Sequence, residues 1–258
     1  RVEGYTNFSW TVIGALPFLA GVDPPTFLVV LGYVSGLLGL LAAALLAWTL
    51  APDRPWLGGA AAILVSAAPF FVSESVMGLE TAGFAALAAA AVALYLRERR
   101  AASFPWSGLV LALAALTRPE GVLVAGLLGL ADLAGARRAR ALPARFWPRW
   151  LGFGVPVAIH EAFRIAFYGD VVPNTFHAKV GGGLNQIVRG LTYGGEFSIA
   201  AAPLLALAAW GAWSLLRRRG EGGPRGGVLV LVIPVVYALY VIYVGGDYKP
   251  TFRFFATP

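Results

Sequence analysis

Cysteine is absent from the 258 residues, so the chain can form neither a disulfide nor a thiolate metal site. Charge is scarce too: 13% of residues are charged, against roughly a quarter in an ordinary soluble domain, which excludes that class. A net charge of +7 might suggest nucleic acid, but no basic stripe with interleaved aromatics is present, so a nucleic-acid partner is not expected. No internal repeat is evident, which weakens a transporter built from duplicated halves. The single methionine is Met77 and no signal peptide opens the chain, so it is expected to begin downstream of its true start.

What the chain has in abundance is apolar sequence. With 59% hydrophobic residues and a mean hydropathy of +0.73, it reads as an all-α, polytopic transmembrane bundle with the lipid bilayer as its solvent. A hydrocarbon core of roughly 30 Å needs roughly 20 helical residues. Candidate spans are Thr26–Leu50, Leu57–Val72, Thr81–Leu96, Trp106–Leu116, Glu120–Ala134, Leu151–Tyr168, Ser198–Leu216 and Gly227–Val244. That is about eight spans, several of them short against the bilayer. Residues 1–25 read as an outer loop in which Trp10–Ala20 is an interfacial helix, and 26–258 as the transmembrane domain. Gly32, Gly36 and Gly39 read as a helix-packing face.

The polar residues are dealt out in strict alternation between these stretches. Arg97/Arg99/Arg100, Arg137/Arg138/Arg140/Arg145/Arg149 and Arg217/Arg218/Arg219/Arg225 alternate with the mixed loops Ser73–Thr81, Thr117–Gly121, Tyr168–Glu196 and Gly245–Arg253. If each stretch crosses once, every arginine cluster lies on one side, which the positive-inside rule makes cytoplasmic. The chemistry then faces outward.

The longest outward loop, 168–197, carries Asp170, Asn174, His177 and Lys179. Lys179 and His177 read as donors to an anionic group, and Asp170 as an acceptor for sugar hydroxyls or a divalent cation. The plain alternative is a solvated turn with Asp170 and Asn174 as local caps. In Thr117–Gly121, Pro119 and Glu120 suit a helix start, while Arg118 at a membrane edge suits a phosphate. Glu80 reads as a cap or a site carboxylate at the mouth of its span. Asp247, Lys249 and Arg253 follow the Gly245–Gly246 pair, which lets the backbone turn back into an outward cavity. Along Leu184–Leu191, Leu184, Ile187, Val188 and Leu191 fall at helical spacing and suggest an interfacial segment. Within Leu151–Tyr168, His160, Glu161 and Arg164 read either as a structural ion pair or as a functional site.

Five motifs in order carry a family resemblance. They are Arg1-Val-Glu-Gly-Tyr-Thr-Asn7 with Trp10, Gly78-Leu-Glu-Thr81, Leu116-Thr-Arg-Pro-Glu-Gly121, the run from Tyr168 to Lys179, and the run from Gly245 through Arg253 to Pro258. Together they resemble GT-C superfamily membrane glycosyltransferases, and among these the bacterial cell-wall arabinofuranosyltransferases that use a decaprenyl-phosphate sugar. The resemblance implies a multi-pass protein of the bacterial plasma membrane with an extracytoplasmic active site. It would transfer a sugar, arabinofuranosyl or another pentose or hexose, from a polyprenyl-phosphate donor to a cell-envelope glycan or lipid acceptor. It places the general base upstream of Arg1, and leaves a divalent cation open as cofactor. On this reading Arg118, Lys179, His177 and Arg253 bind the donor phosphate. Glu3, Tyr5, Asn7, Glu80, Glu120, Asp170, Asn174 and Asp247 position sugar or acceptor. A secondary transporter or lipid flippase remains the alternative, with His160/Glu161/Arg164 as its ion site.

Overall fold

The computed structural model describes residues 3–100, 103–174, 183–217, 224–247 and 251–256. His177, Lys179 and Lys249 lie outside them. Among the described residues the chain forms helices and no strand. In chain order these are α1 (Phe8–Ala15), α2 (Pro17–Ala20), α3 (Pro24–Leu50), α4 (Trp56–Ser66), α5 (Pro69–Val76), α6 (Thr81–Glu98), α7 (Trp106–Thr117) and α8 (Gly121–Ala139). They continue as α9 (Phe146–Tyr168), α10 (Gly183–Ala200), α11 (Ala202–Arg217), α12 (Pro224–Tyr243) and a 3-10 helix, Arg253–Ala256.

Among the described residues, α3 and α6 are long and apolar enough to cross a membrane, and up to four spans result if each bent pair, α4 with α5 and α10 with α11, counts as one. Helix α7 and the apolar part of α12 are shorter, and α8 and α9 carry charges. A helical membrane protein fits this architecture, while the eight spans expected from sequence exceed what length and hydropathy alone support. The interfacial segment expected over Trp10–Ala20 is two helices, α1 and α2, interrupted at Leu16 before Pro17. Phe18 and Leu19 project from α2, 74% and 87% exposed.

Expected as one helix, Leu57–Val72 is broken. Ala67 and Ala68 separate α4 from α5, and the two axes differ by 70°. Pro69 supplies no N–H and starts the new helix at its first position, where that loss costs nothing. The glycine face expected on α3 receives α5 directly. A Cβ on Gly32 would stand 2.6 Å from the Ser75 carbonyl oxygen, and one on Gly36 would stand 2.8 Å from the Ser75 hydroxyl. Contact this close between backbones is what small residues permit. It fixes the end of α5, and with it the loop that leads to Glu80.

Helix α6 is the hub, packed against α3, α5, α7, α8 and the 3-10 helix. Ala82, Ala88, Ala91 and Ala93 are almost wholly buried, so its small side chains admit neighbours on nearly every side. At 1.5 Å per residue its 18 residues span about 27 Å, close to the hydrocarbon thickness. Its two ends hold separate ionic groups. At the C-terminal end Arg149 Nη1 bonds Asp132 at 2.8 Å and Nη2 bonds Glu98 at 3.2 Å. Glu98 also accepts from the Ser107 N–H at 2.8 Å, and Asp132 accepts from the Tyr95 hydroxyl at 2.8 Å and from Trp150 Nε1 at 3.2 Å. Arg149, grouped in sequence with the arginines of one side, is 2% exposed. Its charge is spent inside the bundle, tying α9 to α6 and α8.

The strongly amphipathic α10 presents its apolar residues outward. Leu184, Val188 and Leu191 are exposed, while Gln186, Gly190 and Tyr193 are buried against α12. Gln186 Nε2 donates to the Tyr243 carbonyl at 2.8 Å, and Arg189 Nε donates to that of Gly245 at 3.2 Å. An outward apolar face and a packed polar face suit a helix lying against lipid. Ser198, expected to begin a span, belongs instead to α10, which meets α11 at 86°.

Candidate functional site

At the N-terminal end of α6 the chain gathers a second buried ionic group. Arg118 follows α7 in extended conformation, Glu120 precedes α8, and Glu80 precedes α6. Arg118 Nε donates to Glu120 Oε2 at 3.2 Å and Nη2 to Oε1 at 2.9 Å, a bidentate pair. Its Nη1 lies 3.5 Å from Glu80 Oε1 without a hydrogen bond. The guanidinium carbon sits 5.8 Å from the Phe84 ring centre and 5.1 Å from that of Phe254. Burial is the largest single influence and works against the charge, but Glu120, Tyr237 and Glu80 together outweigh it, and the Arg118 pKa lies above the ordinary arginine value. Glu120 thus serves Arg118, with no side-chain cap bond to α8.

Phe254 links this group to the chain's C-terminal segment. Gly245 and Gly246 take φ of 87° and 70°, a left-handed turn that side chains disfavour, and deliver Asp247 back toward the bundle. Arg253 Nε lies 2.8 Å from Asp247 Oδ2, and the Arg253 guanidinium carbon lies 5.5 Å from the Phe254 ring. Two arginines therefore flank one phenylalanine. The Phe254 N–H donates to the Tyr193 hydroxyl at 3.3 Å, and the Thr251 hydroxyl donates to Glu74 Oε1 at 2.8 Å. On the other side of the same 3-10 helix, Phe255 and Ala256 line an apolar cleft of about 520 Å³. It runs between α3, α4, α5, α6 and α11, with Phe70, Phe71 and Phe197 near the helix and Leu46 and Leu64 further along. A buried ionic cluster and an apolar cleft thus both adjoin the 3-10 helix.

The N-terminal segment joins this site to the end of α9. Asn7 Nδ2 donates to Glu80 Oε2 at 3.1 Å, and Trp10 Nε1 donates to the Gly78 carbonyl at 3.1 Å. Four residues earlier, Glu3 Oε2 accepts from Arg164 Nε at 2.7 Å, and Arg164 also pairs with Glu161 as its i,i+3 spacing implies. The Tyr5 and Tyr168 hydroxyls lie 3.3 Å apart, and burial with that contact pushes the Tyr5 pKa up to about 12, so Tyr5 stays a proton donor at neutral pH. His160 packs on Phe8, ring centres 4.4 Å apart. The His160/Glu161/Arg164 triad is thus a clamp on the N-terminal segment.

The structure therefore brings Glu80, Glu120, Arg118, Asp247, Arg253 and Asn7 into one neighbourhood, with Glu3 and Tyr5 on its flank. Asn174 reaches that flank through its backbone, its N–H donating to the Glu3 carbonyl at 3.3 Å. Asp170 accepts from the Val172 N–H at 3.1 Å, the local turn geometry of the plainer reading. Sequence reasoning missed Glu74, Tyr193 and Tyr237. Glu74 lies in a loop flagged as mixed, but a lone acid on an apolar helix carries no periodic signal. With Glu74, Glu80, Glu120 and Asp247 against Arg118 and Arg253, the described cluster is rich in carboxylates, a composition that suits hydroxyl donors better than a bare anion. No three described His, Asp or Glu side chains gather closely enough to hold a metal ion.

Compared with known proteins, the chain is similar to the terminal β-(1→2)-arabinofuranosyltransferase of Corynebacterium glutamicum, 33% identical over 160 residues covering 55% of this chain. The match spans only 22% of that relative's length, so it supports a glycosyltransferase-like relationship over part of each chain. No protein-family profile matches the chain, and no solved structure matches it.

Proposed function

We propose that this protein is a multi-pass membrane glycosyltransferase. It transfers a sugar, arabinofuranosyl or another pentose or hexose, from a polyprenyl-phosphate donor to a cell-envelope glycan or lipid acceptor on the extracytoplasmic face. The observation that carries the reading is the 3-10 helix that adjoins both a carboxylate-rich ionic cluster and an apolar cleft. An amphiphile with a sugar head and an isoprenoid tail matches both. In the proposal the tail enters between α3 and α11, and the sugar lies near Glu80, Glu120 and Asp247. The phosphate is met by His177 and Lys179 together with Arg253 and the unbonded Nη1 of Arg118.

Sidedness supports the same reading. Glu80, Arg118 and Asp247 share one end of the bundle, and Arg97, Arg99, Arg137 and Arg138 lie at the other. By the positive-inside rule the latter is cytoplasmic. In the reaction the acceptor hydroxyl oxygen attacks the anomeric carbon, and the bond to phosphate breaks with its electron pair leaving on the phosphate. The hydroxyl proton passes to a base. Because phosphate leaves readily, fixed donors around it matter more than protonation.

The experiment is direct. The purified full-length protein, given a polyprenyl-phosphate arabinose and a synthetic arabinan acceptor in lipid nanodiscs, is expected to extend the acceptor by one residue, read by mass spectrometry. An inactive preparation that instead moves a solute or lipid across the bilayer would replace this reading with the transporter or flippase.

A further inference from the structure

Beside the ionic cluster lies one carboxyl group whose role its neighbours do not explain. Glu74 is wholly buried on α5, 0% exposed. Each carboxylate of that cluster faces an arginine: Glu80 and Glu120 face Arg118, and Asp247 faces Arg253. Among the described residues Glu74 has no cation within ion-pair distance. Its Oε1 accepts from Thr251, and its Oε2 is buried with no hydrogen-bond partner among the described residues.

An unpartnered buried carboxyl oxygen forfeits its hydration without a replacement bond, and such groups in folded proteins call for an explanation. The surroundings narrow it. Thr251 ties Glu74 to the C-terminal segment, whose 3-10 helix packs against α5. Phe70 and Phe71, one turn back on α5, reach the apolar cleft through the same stretch of helix. Glu74 therefore stands on α5 between the residues that line the apolar cleft and the C-terminal segment. A metal does not fit, since the described acids do not cluster in threes. An anion does not fit a carboxyl oxygen. What fits is a hydroxyl donor.

We propose that Glu74 is a sugar-recognition residue: its Oε2 accepts a hydroxyl of the donor's sugar, with Thr251 fixing the carboxyl through Oε1. The assignment rests on the glycosyltransferase reading and adds the atom that tells a sugar-bearing lipid phosphate from a bare one. Packing of Ser75 against Gly32 and Gly36 holds the carboxyl in place before the ligand arrives.

The test compares the full-length protein with its Glu74→Gln and Thr251→Val variants in nanodiscs, measuring affinity for polyprenyl phosphate and for polyprenyl-phosphate arabinose. Wild type is expected to prefer the sugar-bearing lipid. Glu74→Gln should cut that preference by about tenfold or more, as loss of a hydrogen bond to a charged group implies, and leave bare-lipid affinity within about twofold. Thr251→Val frees the carboxyl without removing it, and should weaken the preference severalfold. Unchanged preference in both variants, or a parallel loss of affinity for both lipids, overturns the assignment. Wild type that binds neither lipid overturns the glycosyltransferase reading itself, a result distinct from a wild type that discriminates and a Glu74→Gln that still does.

Discussion

Replacing Arg118 with alanine is expected to lower sugar transfer on the order of a hundredfold or more, the scale of losing a charge-stabilising donor. The same change should destabilise the fold by about 3–5 kcal/mol, because Glu80 and Glu120 would stay buried without their cation. Both effects come from one geometry. Arg118 is 4% exposed, clamped by Glu120 through two nitrogens, and has Phe84 and Phe254 beside its plane. Arg118→Lys separates the effects. A lysine keeps the charge that the two carboxylates need but not the planar fork, so stability should largely return while transfer stays at least roughly tenfold down. Melting curves and initial rates on the same preparations make the comparison. A folded Arg118→Ala protein with wild-type turnover would remove Arg118 from the site.

The largest effect on stability alone is expected at the opposite end of α6. Arg149→Met strands Glu98 and Asp132, each almost wholly buried, and should cost about 3–5 kcal/mol. For a chain of this size that lowers the thermal midpoint by on the order of 10 °C. Neutralising the partners as well, in Arg149→Met/Glu98→Gln/Asp132→Asn, should recover part of the loss, since an ion pair removed whole costs less than one left half-made. Transfer per folded molecule should remain within about twofold of wild type. The network sits about 27 Å, the length of α6, from Glu80. A triple variant less stable than Arg149→Met would show that the network contributes net stability and is more than a satisfied set of buried charges.

The contrast between these two arginines shows what could be read from the sequence. Arg118 was legible because it sits in a short polar break between apolar stretches, where a charge needs a reason. Arg149 was not, since five arginines close together look like a solvated turn, and only the tertiary arrival of Glu98 and Asp132 decides which one goes inside. The helices themselves were legible from their apolar runs, and the α3 glycines predicted a packing face without naming α5 as its partner. The kink before Pro69 had a local signal in the proline, but an uninterrupted apolar run outweighed it. Helix α10 was legible as amphipathic. Which face would pack was hidden, because its polar side is buried through backbone bonds to Tyr243 and Gly245.

The account stands on one junction, where the 3-10 helix Arg253–Ala256 adjoins both the ionic cluster and the apolar cleft. A polyprenyl phosphate carrying a photoreactive group along its isoprenoid chain tests that junction most directly, with labelled peptides mapped by mass spectrometry. Labelling is predicted to concentrate on the cleft walls, at Leu64–Phe71 and Phe197–Ala208, and to be competed away by unlabelled polyprenyl-phosphate sugar. Labels spread evenly over the lipid-exposed faces of α3 and α9, with no competition, would contradict it.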